Sequence, residues 1–157
     1  MSFLVHDRVA ARSRRFWLIP LLGALAWAPA GARERIPLRI GDQLLQVEIA
    51  ATPAQRAQGL MGRTSLGPNE GMLFVFPGDD VRCLWMRDTP SALAAAFVSA
   101  RGEILTLAEM QPQTDTRHCS RAPARYALET AAGWFSQRGI AVGAKIQGLE
   151  AVAPALR

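Results

Sequence analysis

The side chains best able to do chemistry crowd into Cys83-Leu84-Trp85-Met86-Arg87-Asp88-Thr89, where a thiol is followed by an aromatic ring, a guanidinium, a carboxylate and a hydroxyl. Two arrangements suit that order. In one, Trp85 and Met86 pack inside a strand and Arg87 pairs with Asp88 at its end. In the other the stretch is a pocket mouth, with Trp85 as an apolar wall and Arg87 and Thr89 as donors to a carboxylate, a phosphate or a sugar hydroxyl. Glu129 is the distant residue expected to join them, beside Arg87. Glu70, Asp79, Asp80, Asp88 and Glu129 are scattered carboxylates whose convergence would suit a carboxylate-dependent hydrolase.

The two cysteines, Cys83 and Cys119, offer a second chemistry. In an oxidising compartment an even count favours a disulfide, which closes a loop long enough to stabilise the fold by roughly 3.5–4 kcal/mol. Two buried thiols, or a reactive or metal-binding pair, are the alternatives. An imidazole-activated thiol at His118-Cys119 is disfavoured because adjacent residues of an extended loop point apart. A copper site drawn from Cys83, Cys119, His118, Met86 and Met110 has suitably soft ligands but no pair at metal-site spacing, and both methionines suit a core. Neither a serine in a nucleophile elbow nor a glycine-rich phosphate loop occurs, and no cofactor or metal is implied.

Compartment follows from the first residues. Arg8, Arg12, Arg14 and Arg15 precede an apolar run of about a dozen residues, Phe16 to Trp27, and Ala30-Gly31-Ala32 supplies a small-x-small cleavage site. This is the pattern of a secretory signal peptide, residues 1–32. Ser13-Arg14-Arg15-Phe16-Trp17-Leu18 also partly matches the twin-arginine export pattern beside ordinary Sec export. An uncleaved anchor is the alternative, but the run is shorter than the ~20 residues of a spanning helix. The protein is therefore expected to be periplasmic or secreted from a bacterium, touching membrane only through the leader. Cleavage would leave 125 of the 157 residues, enough for one domain with a real core, and would lower the formal charge from +5 to +2, with 14 basic and 12 acidic residues. The remaining basic residues are scattered singly, without the clusters that mark nucleic-acid binding.

The elements that must position these groups are mostly strands. Ile36, Leu38 and Ile40, then Leu45, Val47 and Ile49, alternate with polar residues around Gly41-Asp42, which predicts an edge hairpin with one wet face. Thr52-Pro53 and Gly59 bracket a short helix as N-cap, first position and C-cap. The apolar runs Met72–Phe76 and Cys83–Met86, separated by Pro77-Gly78-Asp79-Asp80, predict a buried hairpin. Leu93–Val98 and Glu103–Ala108 predict paired strands, Arg125–Glu129 another strand, Ala131–Gln137 a short helix with Trp134 and Phe135 inward, and Val142 to Leu149 a last strand. The long loop Met110–Pro123 between them is of the kind that is functional or stapled. The fold expected is a mainly β, compact sandwich or partly closed barrel with one or two short helices.

Several stretches together resemble one known family: Gln58-Gly59-Leu60-Met61-Gly62-Arg63, Asn69-Glu70-Gly71-Met72-Leu73-Phe74-Val75-Phe76, Leu84-Trp85-Met86-Arg87-Asp88-Thr89, and Ala124-Arg125-Tyr126-Ala127-Leu128-Glu129 with Gly133-Trp134-Phe135. In order and spacing they are similar to the bacterial and archaeal domain of unknown function 192 family, over about residues 45–147. The resemblance implies a compact β domain, often exported, and supplies no activity, substrate or cofactor. Where the family usually has Trp-Met-Lys-Asn-Thr this chain has Arg87-Asp88, which favours an internal pairing of the two or a cationic ligand. The family's Pro-Leu-Asp is here Ala92-Leu93-Ala94, so a common acid is missing. An aromatic before the Trp-Met pair and a late Tyr-Ser give way to Cys83-Leu84 and Cys119-Ser120, the two substitutions that a disulfide requires.

These residues lead to an exported β domain that binds a small polar or anionic ligand, or an envelope protein, near Trp85, Arg87, Asp88, Thr89 and Glu129, without catalysis. The alternative is an envelope hydrolase using carboxylates on a carbohydrate or peptidoglycan-type substrate.

Overall fold

The computed structural model describes residues 35–156; the expected signal peptide and its cleavage site lie outside the described residues. Among the described residues no helix is long and apolar enough to cross a membrane. The described residues form nine strands: β1 (Arg35–Ile40), β2 (Gln43–Ala50), β3 (Glu70–Asp80), β4 (Cys83–Leu84), β5 (Leu93–Val98), β6 (Ile104–Met110), β7 (His118–Cys119), β8 (Ala124–Ala131) and β9 (Ile146–Gln147). Seven make one curled, half-barrel sheet in the order β6-β5-β8-β3-β2-β1-β9, while β4 and β7 pair separately as a short ribbon. Of the two expected architectures, the partly closed barrel is the one formed.

The hairpin β1–β2 has the expected alternation, its inward residues Ile36, Leu38, Ile40, Leu45 and Val47 buried and the intervening ones largely exposed. It is not an isolated edge, because β9 pairs with Arg39 and Ile40 and β2 pairs in parallel with β3. A parallel pair needs a long crossover, and residues 51–69 supply it, including α1 (Pro53–Gln58). Arg63 in this crossover donates to Glu48 of β2 at 2.6 Å, and Arg35 reaches both Glu48 and Glu70 at 3.0 Å. Burial pushes the Glu48 carboxyl up, but the hydrogen bonds and charges of Arg63 and Arg35 outweigh it and hold Glu48 below the usual carboxylate range.

Two apolar layers flank the sheet. One gathers Leu38, Leu45, Leu73, Ala96, Ile104 and Leu128 with Trp134 and Phe135, from strands at both ends of the order, and so fills the inside of the curl. The other, on the opposite face of the central strands, holds Met72, Phe74, Ala95, Phe97 and Ala127 beneath Leu60, Leu84 and Met86.

Three elements differ from expectation. No hairpin forms at Pro77-Gly78: β3 continues through both residues to Asp80, and its pairing with β8 lapses between Val75 and Asp80. Proline has no N–H to give a ladder and is tolerated where pairing is interrupted. The second run of the supposed hairpin instead pairs as β4 with β7. The helix expected at Ala131–Gln137 is absent, since β8 runs to Ala131 and only a single 3-10 turn, Ser136–Arg138, follows between Gly133 and Gly139; Trp134 and Phe135 are nonetheless buried. The last strand shrinks to Ile146–Gln147, and Val142 is exposed.

Candidate functional site

The segment after β3 is fastened to the late loop rather than to its own strand. Cys83 and Cys119 form a disulfide with Cα atoms 4.0 Å apart, directly opposite each other in β4 and β7. Ser120 supports the same junction: its Oγ accepts from the Arg82 amide at 3.0 Å and its own amide donates to the Arg82 carbonyl at 2.8 Å. Further along, the Met86 amide donates to the Thr114 carbonyl and the Gln113 amide to the Thr89 carbonyl, both at 3.0 Å. The long loop is thus stapled, and the bond leaves neither thiol for a nucleophile or a copper ligand. Met86 and Met110 are both buried in the core.

Opposite this ribbon stands α1, held by reciprocal caps. Thr52 Oγ1 accepts from the Gln55 amide at 3.1 Å, and Gln55 Oε1 accepts from the Thr52 amide at 3.0 Å. Gly59 ends the helix, and a Cβ there would stand 3.2 Å from the Phe74 ring, so the bare backbone lets the two elements close up. Arg56 donates to the carbonyls of Ala51, Val75 and Leu156, tying the helix to β3. Burial, with Arg82 nearby, lowers its pKa from the ordinary arginine value.

Between α1 and the β4 segment lies a cavity of about 270 Å³. Its walls are Leu60 and Met61 beyond the helix, Phe74 and Phe76 of β3, and Leu84 and Trp85; Cys83, Thr89 and Glu129 also line it. Phe74 and Phe76 alternate onto the same face of β3 as Met72, which is opposite Glu129 of β8. Glu129 is only 4% exposed, and among the described residues no hydrogen bond or ion pair reaches its carboxyl. Burial alone pushes this carboxyl up to about 8.

Of the five residues expected at a site, the cavity brings together Trp85, Thr89 and Glu129. Trp85 is half exposed at the rim rather than packed inside, and the Thr89 hydroxyl donates to the Arg87 carbonyl at 3.2 Å. Arg87 and Asp88 do not line the cavity. Arg87 lies over the Trp85 ring at 5.6 Å and pairs not with Asp88 but with Asp115, Nε to Oδ1 at 2.8 Å. Asp88 has φ 54, and its carbonyl accepts from the Gly62 amide at 2.8 Å. Asparagine and aspartate are the residues best tolerated in that left-handed conformation, so a backbone requirement accounts for either residue here.

The other expected carboxylates do not converge on Glu129. Glu70 pairs with Arg35 and Asp79 with Arg125, while Asp80 accepts from the Val81 amide. Ala94, where the family's acid is missing, lies in the layer inside the curl, on the opposite face of β5 from Ala95 and Glu129. Sequence reasoning missed Arg56, Leu60, Phe74 and Phe76 as lining residues. The Gln58–Arg63 motif pointed at this wall, but Met72–Phe76 is apolar throughout, which hides the face each residue takes.

Two solved structures are similar to the chain over most of its length. A protein of Sinorhizobium meliloti 1021, described as a candidate transcription regulator, is 34% identical with a TM-score of 0.68, covering 74% of this chain and 93% of its own. A protein of unknown function from Novosphingobium aromaticivorans DSM 12444 is 30% identical with a TM-score of 0.72, covering 76% and 89%. No curated protein matches. Residues 36–148 match the family described as "Uncharacterized ACR", DUF192. That match takes in every strand of the half-barrel and every wall of the cavity: the chain belongs to the domain of unknown function 192 family.

Proposed function

We propose that this is an exported ligand-binding domain, and that the cavity between α1 and the β4 segment takes a small molecule with an apolar body and one polar group. The observation that carries the reading is Glu129, a buried carboxyl without a partner among the described residues, in a cavity otherwise walled mainly by apolar side chains. Its carboxyl lines the cavity without a hydrogen bond from the fold, so a ligand there can supply the bonds that the protein does not. At about 270 Å³ the cavity is near the lower end of the ~300–1,000 Å³ usual for small-molecule sites, so the ligand is compact. Hydrolysis by paired carboxylates finds no support, since Glu129 is the only carboxylate lining the cavity among the described residues. Nucleic acid is not part of the proposal. The description of the Sinorhizobium protein has no counterpart in a chain whose basic residues are scattered singly.

Amide chemical-shift mapping with a mixture of small aromatic probes tests the cavity. Shifts should cluster at Gly59, Leu60, Leu84, Trp85 and Thr89; shifts confined to Arg87 and Asp115, or to the far surface around Leu44 and Val142, would move the site elsewhere. Export is read from the mass of the protein recovered from the periplasm, which should begin at Arg33. Recovery only in the cytoplasm with residues 1–32 retained would overturn that half of the reading.

A further inference from the structure

The surroundings of Glu129 restrict the ligand more than the cavity's size does. From β3 and β5 the residues opposite Glu129 are Met72 and Ala95, which carry no charge. From the α1 side the charged lining residue is Arg56, whose guanidinium donates to three backbone carbonyls. From the ribbon come Cys83, held in the disulfide, and Leu84, with His118 across from Leu84 in β7. Beyond them Trp85 and Thr89 are uncharged. Arg82 donates to the Gly78 carbonyl with its guanidinium over the Phe76 ring, and Arg87 is drawn to Asp115 outside the cavity.

A carboxylate at this place would have no cation facing it, whereas a carboxylic acid needs none. The acid form presents one O–H donor beside one carbonyl acceptor. The lining guanidinium, Arg56, is already committed to three backbone carbonyls, and an anionic ligand beside Glu129 is repelled if Glu129 ionises. A group that answers donor and acceptor together is a primary amide, whose carbonyl and syn N–H lie side by side; a secondary amide is trans and holds the two on opposite sides. We propose that the cavity takes an uncharged primary amide bearing an apolar substituent: the amide oxygen accepts from the Glu129 O–H, the amide's syn N–H donates to the Glu129 carbonyl oxygen, and the substituent lies against Phe74, Leu84 and Trp85. This deepens the cavity reading above and rests on it. Burial that pushes Glu129 up to about 8 keeps the acid form dominant at neutral pH.

The test is titration of the full chain with 2-phenylacetamide from pH 6 to 9.5, followed by calorimetry and by the cavity resonances. Affinity should be flat between pH 6 and 7 and fall about tenfold per pH unit above pH 8, where the O–H is lost. Glu129→Leu should weaken binding at least about tenfold, the loss of one or two hydrogen bonds to a buried partner. Glu129→Gln also offers a donor and an acceptor. It should bind within about threefold of the parent and abolish the pH dependence. Benzylammonium binding more tightly, with affinity rising up to pH 8, would overturn the amide in favour of a cation on an ionised Glu129. Benzoate binding more tightly than the amide, or equal amide binding by the parent and Glu129→Leu, would overturn it as well. In each of those cases the cavity resonances still move and the cavity reading stands; if no probe moves them, both readings fall.

Discussion

Glu129 sets how the stability of this fold depends on pH. Its carboxyl has a raised pKa in the folded chain, about 8 against an ordinary 4.5, with burial as the cause. Below pH 4.5 folded and unfolded chains both hold the proton, and Glu129 adds no pH dependence. Between 4.5 and 8 the unfolded chain releases it while the folded chain keeps it, so stability falls as pH rises and levels off above 8. The full span is at most about 5 kcal/mol. Denaturant melts of Glu129→Gln should lack this decline and exceed the parent in stability at pH 8; parallel curves for the two proteins would mean that Glu129 is ionised in the fold. Glu129 was legible in the sequence as a candidate site carboxylate, but its isolation was not, because that depends on Met72 and Ala95, which lie on strands distant in the chain. Arg87 lies outside the cavity for the complementary reason. A guanidinium next to Asp88 suggests a local pair, whereas the partner it finds, Asp115, comes from the far side of a loop.

Among the elements, the β4–β7 ribbon depends most on its covalent bond. Two residues per strand offer little pairing of their own, and Leu84 with Trp85 forms one wall of the cavity directly after Cys83. Closing the loop from Cys83 to Cys119 stabilises by roughly 3.5–4 kcal/mol through the entropy of the unfolded chain. Paired Cys83→Ser and Cys119→Ser substitutions should cost that order of stability in denaturant melts, and should broaden the Leu84 and Trp85 amide resonances more than those of β3 or β8. Unchanged resonances in the substituted protein would show that Ser120 and the Met86–Thr114 bond suffice to hold the ribbon. Elements with local signals were readable from sequence: alternation drew the β1–β2 hairpin, and Thr52, Pro53 and Gly59 bracketed α1. The course of β3 was not readable, because Pro77-Gly78 has the same local signature whether the chain reverses there or runs on beside Ala124.

At the scale of the whole molecule, the curl of the sheet must be held where its two ends approach, and one short segment does this. Residues 143–147 bond to β6 through the Gly143 amide to the Ile104 carbonyl and the Ile104 amide to the Ala144 carbonyl, both at 2.9 Å. The same segment pairs as β9 with β1. Nothing local in the sequence announces this closure; its geometry is carried by Gly102, whose carbonyl accepts from the Ile146 amide at 2.8 Å. Gly102 has φ +78, and a Cβ there would stand 2.7 Å from the Ile146 carbonyl oxygen. Gly102→Ala therefore adds a backbone collision to the roughly 1–2 kcal/mol cost of an L side chain in the left-handed region. Gly139 isolates the second effect, since it has φ +65 with nothing within 4 Å of a Cβ. Gly139→Ala should lose only about 1–2 kcal/mol. Gly102→Ala should lose about 2–4 kcal/mol and speed amide exchange at Ile104 and Ile146 together, because one displacement opens both sides of the closure. Equal losses for the two substitutions, with exchange at Ile104 unchanged, would show that the half-barrel holds its curl through the layer around Leu38, Leu128 and Trp134 without the help of this seam.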